Sequence, residues 1–221
     1  MRKCKEANGK FVSSFCHEIL DTPTFDYTND RYWRWLLTVF DKIAIFQQGT
    51  ECTTVSQASA GFYRTIAELM GRADILKSPH GDIVRSANLY IQRSFEAFLI
   101  ADSKGVKVSL ENPAGALSWK WPLYLKKIQP FLGTRFWLVT VAYCAFGKPY
   151  GKLTHILTNV QELTRLNKFT CKCQGKHNVS LQGGTKVGNK WMAITKSANG
   201  YPLKLARLWC EIMAAATLPE R

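Results

Sequence analysis

An α/β fold built on a largely parallel sheet, with antiparallel edge strands, is the architecture this sequence predicts. Three observations predict it. Short apolar runs of strand length alternate with longer segments of helical period. Clusters of Gly, Pro, Asn and Ser separate them, as turns require. The 221-residue length suits one sheet-centred domain with a small appendage.

In chain order, residues 31–46 (RYWRWLLTVFDKIAIF) read as a helix passing into a short apolar strand at 43–46. The following QQGTECTTVSQASAG is too polar for core, and KSPHGD at 77–82 punctuates as a loop. Ala87, Tyr90, Ile91, Ser94, Phe95, Phe98 and Leu99 then recur at helical spacing. Gly105 stops that helix, and residues 106–110 (VKVSL) form a strand ending at Glu111-Asn112-Pro113. Residues 135–147 are β-rich. A basic loop, KPYGK, leads to another strand-like run, THILTNV. Residues 167–200 are polar, Gly-rich and basic, which predicts an irregular or hairpin insert. The last helix, in 201–221, sets Leu205, Leu208, Trp209, Ile212 and Met213 on one face. Tyr32, Trp33 and Trp35 are assigned to core packing, and His80 and His155 to ordinary polar positions.

Lys and Arg number 30 against 16 Asp and Glu, a net charge of +14 with pI about 9.6. Such an excess favours a polyanionic partner, because each neutralised phosphate releases counterions. Disorder is excluded by a hydrophobic fraction of 46%. No apolar run reaches the roughly 18 residues of a membrane span. The basic N-terminus MRKCKEANGKF lacks the apolar core of a signal peptide. Seven cysteines, an odd number spread along the chain, read as reduced thiols rather than a disulfide scaffold. An intracellular protein is therefore expected, nuclear in a eukaryote and not secreted.

In α/β sheets chemistry gathers at the carboxyl ends of strands. Cys52 and Glu111 each lie just beyond a predicted strand. Alone, Cys52 is an ordinary buried thiol and Glu111 a solvated strand end. Together, one in a Gly-containing polar loop and one before a Pro-fixed turn, they form a candidate constellation. Their surroundings carry a resemblance. Cys52-Thr53-Thr54-Val55-Ser56-Gln57-Ala58 resembles the Pro-Cys-Gln-x-Phe-Ser-x-Ala loop of cytosine-5 DNA methyltransferases, with the same Cys-to-Ser-to-Ala spacing. Glu111-Asn112-Pro113 resembles the Glu-Asn-Val that follows there. Residues 146–154 (FGKPYGKLT) are similar to the basic segment after the next strand, and Phe25-Asp26-Tyr27-Thr28 to the turn that contacts the cofactor's adenine. A divergent viral and mobile-element group of methylase-like proteins is more similar still, with Glu-Asn-Pro-x-x-Ser-x-x-Trp answered by ENPAGALSW, in which Trp119 is present and the Ser is shifted to 118.

The resemblance implies an incomplete Rossmann-like, methyltransferase-type sheet spanning 1–166, the insert at 167–200, and a C-terminal helix in 201–221 packed on the core. It implies that Cys52 adds to C6 of a flipped cytosine while Glu111 contacts the ring N3 and amine. Asn112 braces the turn, Asp26 meets the adenine of S-adenosylmethionine, and Arg135, Lys148 and Lys152 hold DNA phosphates. The chain also departs from the family. Glu51 replaces Pro, Thr53 replaces Gln, and no Gly-rich cofactor loop precedes Asp26. A shortened copy with weak cofactor binding is therefore expected, with an inactive relic or a basic nucleic-acid-binding domain as the alternative. Cys171, Cys173 and His177 offer three soft metal ligands. No fourth is adjacent, so no metal site is assigned.

Overall fold

Asn29 starts the first long helix by accepting hydrogen bonds from the Arg31 and Tyr32 amides at 2.9 and 3.2 Å, satisfying two otherwise orphaned donors. The computed structural model describes residues 2–5, 11–14, 26–59, 61–174, 176–181, 184–187, 190–193 and 200–218. In order these form β1 (Arg2–Lys5), β2 (Phe11–Ser14), α1 (Asp30–Val39), β3 (Ile45–Gly49), α2 (Ala73–Leu76) and α3 (Gly81–Ser103). There follow β4 (Lys107–Pro113), α4 (Pro122–Lys127), β5 (Trp137–Ala142), β6 (Leu153–Thr158), β7 (Gly184–Val187), β8 (Lys190–Ala193) and α5 (Leu203–Ala215).

The fold is α/β around a four-stranded mixed sheet ordered β3-β4-β6-β5. β3 pairs parallel to β4, with Gly49 opposite Glu111. β6 runs antiparallel to both its neighbours, β4 and β5. A sheet of mainly parallel neighbours was the expectation. Only one of the three pairings is parallel, because the 153–158 strand inserts between β4 and β5. The strand that runs against the rest is thus interior, not at an edge. β3, β4 and β5 nevertheless point the same way, so their carboxyl ends share one edge of the sheet.

Alternation along the strands divides the core between the two faces. Val108 and Leu110 of β4 and Leu157 of β6 join Ile91, Phe95 and Phe98 of α3 on one side. Val139 and Val141 of β5 and Ile156 of β6 join Leu205, Trp209 and Met213 of α5 on the other. The two helices with clear 3.6-residue apolar periods are therefore the ones that cover the sheet. The polar Gln47-Gln48-Gly49 belongs to β3 rather than to a loop. Gln48 is tolerated inside because its oxygen accepts from Tyr27 at 3.0 Å and its amide donates to the Ser94 carbonyl at 2.9 Å. In α1, Tyr32 and Trp33 pack against the core, but Trp35 stays 45% exposed. Among the described residues, no helix is long and apolar enough to cross a membrane.

Candidate functional site

Glu111 is the centre of a polar cluster at the shared carboxyl edge. Its position in β4 turns its side chain toward the α5 face, where Thr154 of β6 donates a short hydrogen bond to its Oε1. Lys152 Nζ lies 3.7 Å from the same oxygen, with both side chains largely buried. Tyr201, just ahead of α5, donates to Oε2 at 3.2 Å. Gly49 permits that approach: a Cβ there would stand 3.2 Å from the Tyr201 hydroxyl. Lys152 also sits 3.4 Å from the Tyr143 hydroxyl and 4.7 Å above the Tyr143 ring.

Cys52 lies three residues past the end of β3, in a turn closed by Val55 and Ser56 amides donating to its carbonyl. The loop is anchored by Arg64, which is fully buried. Its guanidinium donates to the Thr54 carbonyl and hydroxyl, the Leu69 carbonyl and Asn88 Oδ1, at 2.7–3.1 Å. The charges of the Glu111 cluster reach the thiol. Burial first, then the charge of Glu51, push its pKa up to about 11, with Lys152 lowering it and Glu111 raising it. The same two groups, Cys52 and Glu111, act on Tyr143 and Tyr201, whose hydroxyls burial pushes upward.

Asn112 points to the opposite face from Glu111. It donates to Ser118 at 2.8 Å while Trp119 donates to the Pro113 carbonyl at 2.9 Å, so the Glu-Asn-Pro turn is braced from the α3 side. Two buried polar atoms at this edge, Thr50 Oγ1 and Asn112 Oδ1, have no hydrogen-bond partner.

The other residues singled out in the sequence fall elsewhere or stand apart. Asp26 accepts from the Thr28 amide at 2.8 Å and caps its own turn ahead of α1, and Phe25 lies outside the described residues. Arg135 precedes β5, at the opposite edge of the sheet, where it forms an ion pair with Asp102. Lys148 sits half-buried in the β5–β6 turn, on the same side as Lys152. Sequence reasoning missed Thr154, Tyr143 and Tyr201. Thr154 ends the 146–154 segment and Tyr143 lies within the β-rich 135–147 stretch, but neither is given a role there, and nothing local marks Tyr201.

A fourth candidate metal ligand comes from outside the 171–177 segment. Cys171, Cys173 and His177 meet Cys144, which follows β5, and all four ligand atoms lie within 4.8 Å of one another. Cys171 Sγ is 3.4 Å from His177 Nε2. A cavity of about 430 Å³ opens beside them, lined by Cys144, Lys168, Phe169, Lys172 and Cys173 among others. A second, of about 280 Å³, lies between the Cys52 loop and Gly115, against Val55, Gln57 and Arg64. Neither is lined by Cys52 or Glu111. Cys52, Cys144, Cys171, Cys173 and Cys210 form no disulfide. Comparison of the chain with protein-family models, with curated proteins and with solved structures found no match.

Proposed function

We propose that the protein handles a flipped nucleic-acid base in the manner of the cytosine-5 DNA methyltransferases, with Cys52 as the attacking thiol and Glu111 as the group that reads the ring. The observation that carries this reading is the register of the parallel pair, which sets Glu111 opposite Gly49, three residues before Cys52, with the Glu111 charge among the influences on the thiol. Chemistry on a pyrimidine C6 needs a nucleophile and a hydrogen-bonding acid around one ring. Net charge and Lys148 supply the means of holding phosphate.

The step is an addition. The Cys52 sulfur bonds to C6, the π pair of the C5–C6 bond moves through the ring to N3, and the thiol proton, taken up by the Glu111 carboxylate, is delivered to N3. The described residues do not fit S-adenosylmethionine. Asp26 is engaged by its own turn, and no described strand-to-helix connection carries clustered glycines of the kind that hold such cofactors. No methyl-transfer step follows from them.

A second reading is a base-binding or purely electrostatic nucleic-acid protein without covalent chemistry. It is favoured by the high thiol pKa of Cys52 and by Tyr201, which already occupies Glu111. A duplex carrying 2-pyrimidinone in place of one cytosine separates the two. The first expects an adduct stable to denaturation that Cys52→Ser abolishes and Glu111→Gln diminishes. Salt-sensitive binding without any adduct leaves the second.

A further inference from the structure

We infer that Cys144, Cys171, Cys173 and His177 form a tetrahedral structural zinc site that fastens the start of the basic insert to the β5–β6 turn. Three thiolates and one imidazole are an established structural zinc set. They contain no oxygen donor, which disfavours calcium and magnesium.

The geometry fits the ion. Zn–S bonds of about 2.3 Å and Zn–N bonds of about 2.0 Å, at tetrahedral angles, put sulfurs roughly 3.8 Å apart and sulfur and nitrogen about 3.5 Å apart. The four ligand atoms here fall within 4.8 Å, and the Cys171–His177 separation is 3.4 Å. They come from two separate stretches of sequence. Cys144 sits in the turn that ends β5, whereas Cys171 and Cys173 follow the 3-10 run Gln161–Lys168, with His177 four residues on.

Backbone hydrogen bonds and ring packing hold the segments that carry them in place. The Ala142 amide donates to the Phe169 carbonyl at 2.9 Å, and the Phe146 and Phe169 rings lie 4.7 Å apart. The Lys176 amide donates to the Cys173 carbonyl at 2.8 Å, and the Val179 amide to the Pro149 carbonyl at 3.2 Å. His177 lies against the backbone of Gly151. A Cβ at Gly151 would stand 2.4–2.9 Å from three ring atoms, so only glycine admits the imidazole there. A site filled by three thiolates, one neutral imidazole and Zn²⁺ carries a net charge of −1. Lys168 and Lys172, which line the adjoining cavity, complement it. Each thiol gives up its proton to solvent on binding, so affinity falls as pH is lowered.

The consequence is architectural. Gly151 and Lys152 adjoin this site on one side and Glu111 on the other, so the metal would fix the turn that presents Lys148 and Lys152. Its test is independent of any reaction. The full chain, purified under reducing conditions with zinc supplied, is expected to hold about one zinc per molecule by elemental analysis. Cobalt substitution should produce the intense visible bands and thiolate charge-transfer absorption of a tetrahedral sulfur-rich site. Cys144→Ser should weaken the thiolate band and lower zinc affinity, while Cys210→Ser, outside the cluster, should change neither. Absence of both zinc and the cobalt spectrum in the wild-type chain overturns the inference. So does an unchanged cobalt spectrum in Cys144→Ser, or a disulfide among the three sulfurs of the reduced preparation in place of metal.

Discussion

The hydroxyl of Tyr201 donates a 3.2 Å hydrogen bond to Glu111 across 90 residues of chain, and so ties the segment before α5 to the end of β4. That bond and the one from Thr154 hold both carboxylate oxygens of Glu111 from protein groups alone. On the proposed function, a base read by Oε2 would have to displace Tyr201 from it.

Tyr201→Phe keeps the ring against Trp209 and removes only the donor. A hydrogen bond to a charged acceptor contributes about 1.5–3 kcal/mol, and the low end applies because Lys152 remains. Urea denaturation should show a loss near that low end. The same variant should raise the rate of adduct formation with the 2-pyrimidinone duplex. A slower rate would show that Tyr201 belongs to the reacting arrangement.

The Cys52 thiol should be sluggish toward iodoacetamide at pH 7, with reactivity climbing toward pH 11. Glu51→Gln removes the second-largest cause of the upward shift. Alkylation at pH 8, followed by mass spectrometry, should run about threefold faster, equivalent to about half a pKa unit. An unchanged rate would leave burial and the Glu111 charge as the causes of the upward shift.

Alkaline stability follows from the same shift. The folded pKa of about 11 exceeds the ordinary value of 9.0, so the folded state holds this proton more tightly. The resulting stabilisation is complete below pH 9 and is lost as pH rises through 11. Tyr27, Tyr143 and Tyr201 are shifted upward as well and act in the same direction from pH 10. Cys52→Ser should flatten the fall between pH 9 and 11 by on the order of 2 kcal/mol, read from denaturation midpoints across that range.

Arg64→Met should cost about 1–3 kcal/mol, because it strands the buried Thr54 carbonyl and removes the donor shared by the half-buried Leu69 carbonyl and Asn88. Arg64→Lys should rescue little, since one ammonium cannot reproduce the planar fork. In both variants Cys52 alkylation should accelerate as its loop loosens. A destabilised variant with unaltered alkylation would separate the anchor from the loop.

Duplex DNA binding should weaken steeply with added salt and depend little on sequence. Lys148→Ala should reduce the magnitude of the salt slope by about one. Arg135→Ala should leave it nearly unchanged, because that guanidinium is paired with Asp102 at the far edge of the sheet. Equal effects from the two substitutions would place the interface elsewhere.

The periods of α3 and α5, the strand runs ending near Cys52 and at Glu111, and the basic charge were legible from the sequence because each is a local property. A helix face repeats within a few residues, and a strand end is marked by its own turn, here Glu-Asn-Pro. The order of the strands was not legible. A period of two looks the same in parallel and antiparallel neighbours, so the insertion of β6 between β4 and β5 left no local trace. That insertion brings Thr154 and Lys152 to Glu111 and turns Arg135 away from them. Cys144 was read only as part of a β-rich run, and nothing near it announced Cys171, Cys173 or His177. Their meeting depends on where β5 ends relative to a segment some thirty residues on, which only the folded sheet decides.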